Sequence, residues 1–270
     1  MNMKKVYIFL AVIMIAITAK AGSDDFGVWT GLSATKTLPY GFSLSLEGEF
    51  RSSDKAHSVD EWNVSIGLNY KVNKYLKIGT AYVFKYAYSH AKRKEHYKDD
   101  IEHPAYWNGF NYTHDYWTPK NRFNFEATGD VKLFDVLKIS LRERYQFTDQ
   151  KTQMVDRTKY RYKNDKKTLK NDYPLQDKNE KERKYSQYLR SRMKLEFDKK
   201  GWDFQPYITF ELFNNLDNKL ALDKTRFSVG TAYKINRQNE VSLGYLFNNE
   251  IDEDPNEGRH VLNIGYSFKF

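Results

Sequence analysis

Residues 259–270 run Arg-His-Val-Leu-Asn-Ile-Gly-Tyr-Ser-Phe-Lys-Phe, and from Leu262 every second residue is large and apolar. Leu262, Ile264, Tyr266, Phe268 and Phe270 fall on one side of such a strand, with Asn263, Gly265, Ser267 and Lys269 on the other. A period of two makes a strand with chemically opposite faces. An apolar face ending in aromatic residues suits a wall strand of an outer-membrane barrel, whose outside meets lipid and an aromatic girdle. Tyr266, Phe268 and Phe270 are then expected to form the signal read by the barrel-assembly machinery.

The same pattern repeats upstream. Phe42, Leu44, Leu46, Gly48 and Phe50 alternate with Ser43, Ser45, Glu47, Glu49 and Arg51. Trp62, Val64, Ile66, Leu68 and Tyr70 alternate with Asn63, Ser65, Gly67, Asn69 and Lys71. Leu76 to Tyr86 continues it, and further strands are predicted near 26–36, 121–130, 136–147, 185–198, 203–213, 225–234, 240–248 and 259–270. A soluble sandwich or lipocalin-like barrel shows the same alternation. Aromatics at the strand ends, such as Phe42 with Phe50 and Phe227 with Tyr233, favour two interfacial girdles instead.

Composition agrees with this reading. The 270 residues include 21 Tyr, 18 Phe and 5 Trp and no Cys. Mean hydropathy is −0.79, and no apolar run approaches the ~20 residues of a spanning helix. That excludes a helical membrane protein but not a barrel, in which only alternate residues meet lipid. The missing cysteines remove disulfides, thiolate chemistry and a lipid-modified N-terminal Cys. Residues 1–21 read as a secretory signal peptide: Lys4 and Lys5, an apolar core from Val6 to Thr18, then Ala19-Lys20-Ala21. The apolar core is too short for a membrane anchor. The expected organisation is that signal followed by one barrel domain over residues 22–270, in the outer membrane of a Gram-negative bacterium.

Connections alternate in length. Short turns are predicted near 72–75, 132–135, 198–201 and 235–239, and longer links near 52–58, 90–120, 148–184, 214–224 and 249–258. Short periplasmic turns and long extracellular loops are the barrel arrangement. The fold class is therefore all-β, a transmembrane antiparallel barrel of about 10–12 strands. Eleven strands are legible, an odd number. Residues 26–36 would have to lie outside the wall, a twelfth strand would have to lie within 105–117, or the first strand would have to close the barrel in parallel.

With this series in place, the chain resembles an outer-membrane family known as domain of unknown function 2490. The matching pieces are Phe26-Gly27-Val28-Trp29-Thr30, Leu44-Ser45-Leu46-Glu47 with Phe50-Arg51, the run Tyr188 to Phe197, Tyr207 to Phe213, and Gly265 to Phe270. The links at 90–120 and 148–184 are longer than the family's usual ones. The resemblance implies an outer-membrane barrel and no activity.

The polar faces carry the candidate site. Arg142 and Arg144 share one face of their strand, and Arg190 and Arg192 share one face of the next. Glu47, Glu49, Glu126, Glu196 and Glu211 fall on polar faces elsewhere. Charge at membrane depth is costly unless it meets water or a partner. These nine residues are therefore expected in the lumen, either lining a pore for small polar or charged solutes or forming an Arg–Glu network that plugs it. Barrels of about 8 strands are filled and those of about 16 are open, so the strand count does not decide. Glu143 falls on the apolar face and would need a bulge to turn inward.

The formal charge is +9, and +6 without residues 1–21; residues 151–184 alone hold 12 Lys and Arg against 6 Asp and Glu. This basic, tyrosine-rich loop is either a solvated surface or a contact for the phosphates of lipopolysaccharide, glycans or a protein partner. Export argues against nucleic acid. His90, His96, His103 and His114 match no metal spacing, and Glu250 to Glu257 lacks the glycine of a calcium loop. No cofactor is implied. A lipid-modifying enzyme would need a nucleophile and base in reach; only His260 is placed to meet a wall serine, so no catalytic function is expected.

Overall fold

A computed structural model of the chain describes residues 26–98, 106–163, 166–251 and 258–270. The expected signal peptide, His103 and residues 252–257 of the acidic loop lie outside these. The strands are β1 (Phe26–Thr37), β2 (Phe42–Ser53), β3 (Ser58–Lys71), β4 (Leu76–Ser89), β5 (Lys92–Lys98), β6 (Tyr106–Thr113), β7 (Tyr116–Leu133) and β8 (Leu137–Gln150). They continue as β9 (Gln153–Arg161), β10 (Leu175–Lys181), β11 (Lys184–Phe197), β12 (Phe204–Asn215), β13 (Ala221–Lys234), β14 (Asn239–Glu250) and β15 (Arg259–Lys269). They belong to two compact units: residues 26–85, 121–148 and 185–270 in the first, and residues 86–120 and 149–184 in the second.

The first unit is a closed barrel of eleven strands in the order β1-β15-β14-β13-β12-β11-β8-β7-β4-β3-β2. Strand direction flips at each step of an antiparallel ring, so an odd ring closes only if one pair is parallel. That pair is β1 and β15, in register from Phe26 opposite His260 to Thr35 opposite Lys269. The first strand is thus in the wall, and parallel closure resolves the odd count. The even-numbered, fully antiparallel scheme of single-chain bacterial barrels does not hold here.

The short turns have local causes. Asn73 Oδ1 accepts from the backbone N–H groups of Tyr75 and Leu76 at 2.8 and 2.9 Å, and Asn236 Oδ1 does the same for Gln238 and Asn239 at 2.9 and 2.8 Å. Such side-chain bonds stand in for a backbone turn. Between β7 and β8, Phe134 and Asp135 take φ of 52° and 56°. This is the two-residue hairpin whose positive φ values match strand twist, filled here by residues other than Asn-Gly.

Burial is inverted. The buried apolar residues of the barrel are few: Trp29, Val83, Ala232, Leu246 and Val261. Its buried polar residues include Glu61, Lys85, Asn124, Arg142, Gln146 and Glu211. Outside, Leu46, Ile66, Phe125 and Leu141 are each at least half exposed, and the other large apolar residues quoted above for β2 and β3 share that face. Glu143 needs no bulge. It stays on the outer face, and its Oε2 accepts from the Ser191 hydroxyl at 2.7 Å.

The second unit is built from the two long connections, which fold as a four-stranded sheet in the order β10-β9-β6-β5. The strand suspected within 105–117 exists as β6, but it belongs to this sheet. Its partner β9 is set by Phe110 opposite Tyr160 and Tyr112 opposite Thr158. The rings of Phe110 and Tyr160 stack at 4.5 Å, and Arg93 covers the other side of Phe110 at 3.9 Å. Gly109 has φ of +146°, and a Cβ there would meet the Tyr160 carbonyl oxygen at 2.0 Å, so only glycine fits.

Candidate functional site

The barrel encloses a cavity of about 510 Å³. Seven arginines, one lysine and five glutamates line it. Strand geometry explains how they meet: residues two apart share a face, so Arg142 and Arg144 of β8 point the same way as Arg190 and Arg192 of the neighbouring β11. Together they form a block of four guanidinium groups. Glu126 of β7 flanks it on one side and Glu211 of β12 on the other.

Glu211 is the hub. Arg190 Nη2 donates to both of its carboxylate oxygens at 3.0 Å, and Arg142 Nη2 donates to Oε1 at 2.8 Å. Arg226 Nη1 of β13 stands 3.6 Å from Oε2. Glu126 Oε2 accepts from Arg144 Nε and Nη2 at 2.8 and 2.6 Å, and lies 3.9 Å from Arg142 Nη1. The Nε atoms of Arg142 and Arg190 are buried without a partner, as is Asn124 Oδ1. Paired charges in a poorly hydrated interior offset their desolvation only when hydrogen bonding is complete.

A second cluster involves β1, β2, β3 and β4. Arg51 pairs with Glu49, and its Nη1 lies 3.5 Å from Glu61. Lys85 Nζ meets the other Glu61 oxygen at 2.6 Å. Trp29 turns inward and is 5% exposed. The Arg51 guanidinium lies over its ring at 4.1 Å, and that of Arg226 reaches it at 5.2 Å from three strands away round the wall. Along β12–β14, Tyr207 lies over Gly230 and Gly244, where added Cβ atoms would come within 2.7 and 2.9 Å of its hydroxyl.

Of the residues expected in the lumen, Glu47, Glu49, Glu126 and Glu211 line the cavity together with all four arginines of the block. Glu196 does not; it pairs with Lys194, which does. Sequence reading missed Arg51, Arg122, Arg226 and Trp29 as lining residues, although each has the inward parity of its strand. At the chain end, Tyr266 reaches Asn239 through its hydroxyl, and the rings of Phe268 and Phe270 meet edge-on at 4.6 Å. His260 bonds the Tyr245 hydroxyl and packs 4.9 Å from the Phe247 ring, rather than meeting a serine.

In the second unit Arg93, Arg157, Lys159, Arg161 and Arg183 each have a side-chain partner. Asp177 of β10 takes Lys159 Nζ at 2.6 Å and also pairs with Arg157. Hydrogen bonds from Lys159 and then Arg157 hold its carboxyl well below the ordinary aspartate range. Arg161 Nη2 donates to Asn111 Oδ1 at 2.8 Å, and burial lowers the Arg161 guanidinium. His96 and His114 bond Asn108 and Thr158 at 2.7 and 2.8 Å. Among the described residues no group of His, Asp or Glu has the arrangement of a metal site.

No curated protein matches the chain. A family model does, over residues 26–259, from the start of the parallel seam to the first residue of the last strand; most of β15, which the sequence resemblance also covered, falls beyond the match. With the match spanning nearly all of the described barrel and the sheet, the chain belongs to the family described as protein of unknown function DUF2490.

Proposed function

We propose that this protein is an outer-membrane β-barrel that lets small anions pass through its lumen. The observation that carries the membrane assignment is the inverted burial: an apolar, aromatic outer face around an interior of Arg, Glu, Asn and Gln. Transfer of each exposed Leu, Ile, Val or Phe from water to hydrocarbon is worth about 1.5–3 kcal/mol. The outer face therefore supplies a large drive for insertion, while the charged face needs water or partners. The signal-like residues 1–21 support export, and the aromatic end of the last strand supports recognition by the assembly machinery. Basic lining residues outnumber acidic ones, which favours anions in a narrow polar path.

The test is single-channel recording of the refolded protein in a planar bilayer, with reversal potential measured under a salt gradient. Discrete steps with anion preference, reduced when Arg192 is replaced by Ala, support the reading. A folded barrel that never conducts rejects it.

A second reading, a closed barrel, is favoured by the Arg51–Trp29–Arg226 stack, which bridges part of the interior. Conduction that appears only in Trp29→Ala would select it. Function would then lie with the second unit, whose Lys, Arg and aromatic side chains suit phosphates of lipopolysaccharide, glycans or an acidic protein surface. Both readings are non-enzymatic.

A further inference from the structure

We infer that the four-arginine block is a binding site for one doubly charged oxyanion, such as phosphate or a small dicarboxylate. This deepens the lumen reading above and rests on small anions reaching the cavity. The first observation is charge. Arg142, Arg144, Arg190 and Arg192 face only Glu126 and Glu211, an excess of two positive charges. Glu211 is further shared with Arg226. Like charges sharing one confined cavity repel unless an anion or water screens them.

The second observation is an unused cation. Among the described residues, no hydrogen bond or ion pair holds Arg192, although it lines the cavity beside the others. The other three arginines of the block are fixed by Glu126, Glu211 and Gln146. Arg192 differs from Lys194, two residues on, which pairs with Glu196. A guanidinium offers a planar fork of donors that matches a carboxylate or phosphate bidentately. Arg192 therefore presents its donor fork to the cavity with no side-chain acceptor, inside a wall where the neighbouring arginines have theirs.

The third observation is unsatisfied polarity. Arg142 is 8% exposed and Arg190 is similarly enclosed, yet each keeps a buried Nε–H without an acceptor. An orphaned buried donor of this kind is destabilising, because its lost hydration is not replaced. A bound oxyanion offers acceptor oxygens to Arg192, and to these donors once the Arg142 and Arg190 side chains turn toward it. The cavity of about 510 Å³ has room for it with several waters. Chloride, with one charge and no oxygens, fits the same electrostatics but not the fork geometry.

The test uses the full mature chain refolded in detergent. Inorganic phosphate and succinate are titrated calorimetrically at constant ionic strength, with chloride as the control. Saturable binding of either oxyanion with one site per barrel is expected, at least tenfold tighter than chloride. Arg192→Gln should weaken it tenfold or more, and Lys132→Gln, outside the cavity lining, less than twofold. Arg192 holds no partner, so its replacement leaves no buried carboxylate unpaired and the barrel should fold; retained heat-modifiable migration on a gel checks this.

Absence of saturable heat with both oxyanions, or an Arg192→Gln affinity equal to wild type, overturns the site. The bilayer recording separates this from the conduit reading. A barrel that conducts chloride but is neither bound nor blocked by phosphate refutes the site alone. A barrel that binds phosphate and never conducts refutes the conduit alone.

Discussion

Arg142 on β8 and Glu211 on β12 are joined at 2.8 Å across the full width of the intervening β11. The contact ties three consecutive wall strands from inside, and Glu211 is 4% exposed at its side chain. Removing this carboxylate strands Arg142, Arg190 and Arg226 together. Breaking a buried pair by deleting one partner typically costs about 3–5 kcal/mol. Glu211→Ala should lose that much in urea unfolding from lipid vesicles, whereas Glu196→Ala, which frees only Lys194, should lose under about 1 kcal/mol. Equal effects at the two positions would mean the hub is not structural.

The parallel seam makes its own prediction. Ser33 and Ser267 sit opposite each other in β1 and β15, and Ser33 Oγ donates to Ser267 Oγ at 2.8 Å. The chain has no cysteine, so a double Ser33→Cys, Ser267→Cys variant reports on one pair alone. Neighbouring-strand positions are close enough for a disulfide. Oxidation should link residues 234 apart in sequence and speed migration of the unfolded, non-reduced chain on a gel. If β1 lay outside the wall, both thiols would remain free to alkylation.

Glu143 sits in the apolar outer face, with Leu141 59% exposed beside it. Its one described hydrogen bond is from Ser191 on the neighbouring strand. A lipid-facing acidic residue near mid-depth destabilises a barrel, though less than Arg or Lys, which cost about 2–4 kcal/mol. Glu143→Leu should therefore raise unfolding stability in lipid vesicles by about 1–2 kcal/mol, and Ser191→Ala should change it little once Glu143 is gone. A loss of stability in Glu143→Leu would argue that this face meets protein or water instead of lipid.

Much of the wall was legible because a barrel strand is a local signal. Leu44, Leu46 and Phe50, or Ile66 and Leu68, declare their face by period alone. The Arg pairs on β8 and β11 did so too, because two arginines at i and i+2 can only share a side. Trp29 was not legible as an inward residue, since an aromatic near a strand end reads equally as part of a girdle. Its position follows from the parity of β1, fixed by pairing with β2 and β15 at once. Closure is a property of strands some 230 residues apart, so eleven strands could be counted without showing which edges meet. The sheet of the second unit was hidden for another reason. Lys92 to Lys98 and Leu175 to Lys181 have no apolar alternation, because these edge strands are held by hydrogen bonds and side-chain pairs with β6 and β9. The alternation Lys159-Tyr160-Arg161-Tyr162 was a period-two signal, but its density of charge made it read as a loop.

Asp177 makes the second unit sensitive to acid. Hydrogen bonds from Lys159, then Arg157, depress its folded-state pKa below the ordinary aspartate value of about 3.9. A depressed carboxylate contributes stability that is fully present above the unfolded value and is lost as pH falls through the folded one. The pairing of β10 with β9, where Asp177 stands opposite Arg157, should therefore hold at pH 5 and weaken only as pH falls well below 4. Hydrogen exchange of the β10 amides, corrected for intrinsic rates, reads this directly. Wild type should lose protection in that acid range. Asp177→Asn keeps the shape but not the charge, so it should show reduced protection already at pH 5 and little further change on acidification. Equal protection of the two proteins at pH 5 would mean that the Phe110–Tyr160 stack and the backbone ladder hold this sheet without the ion pairs.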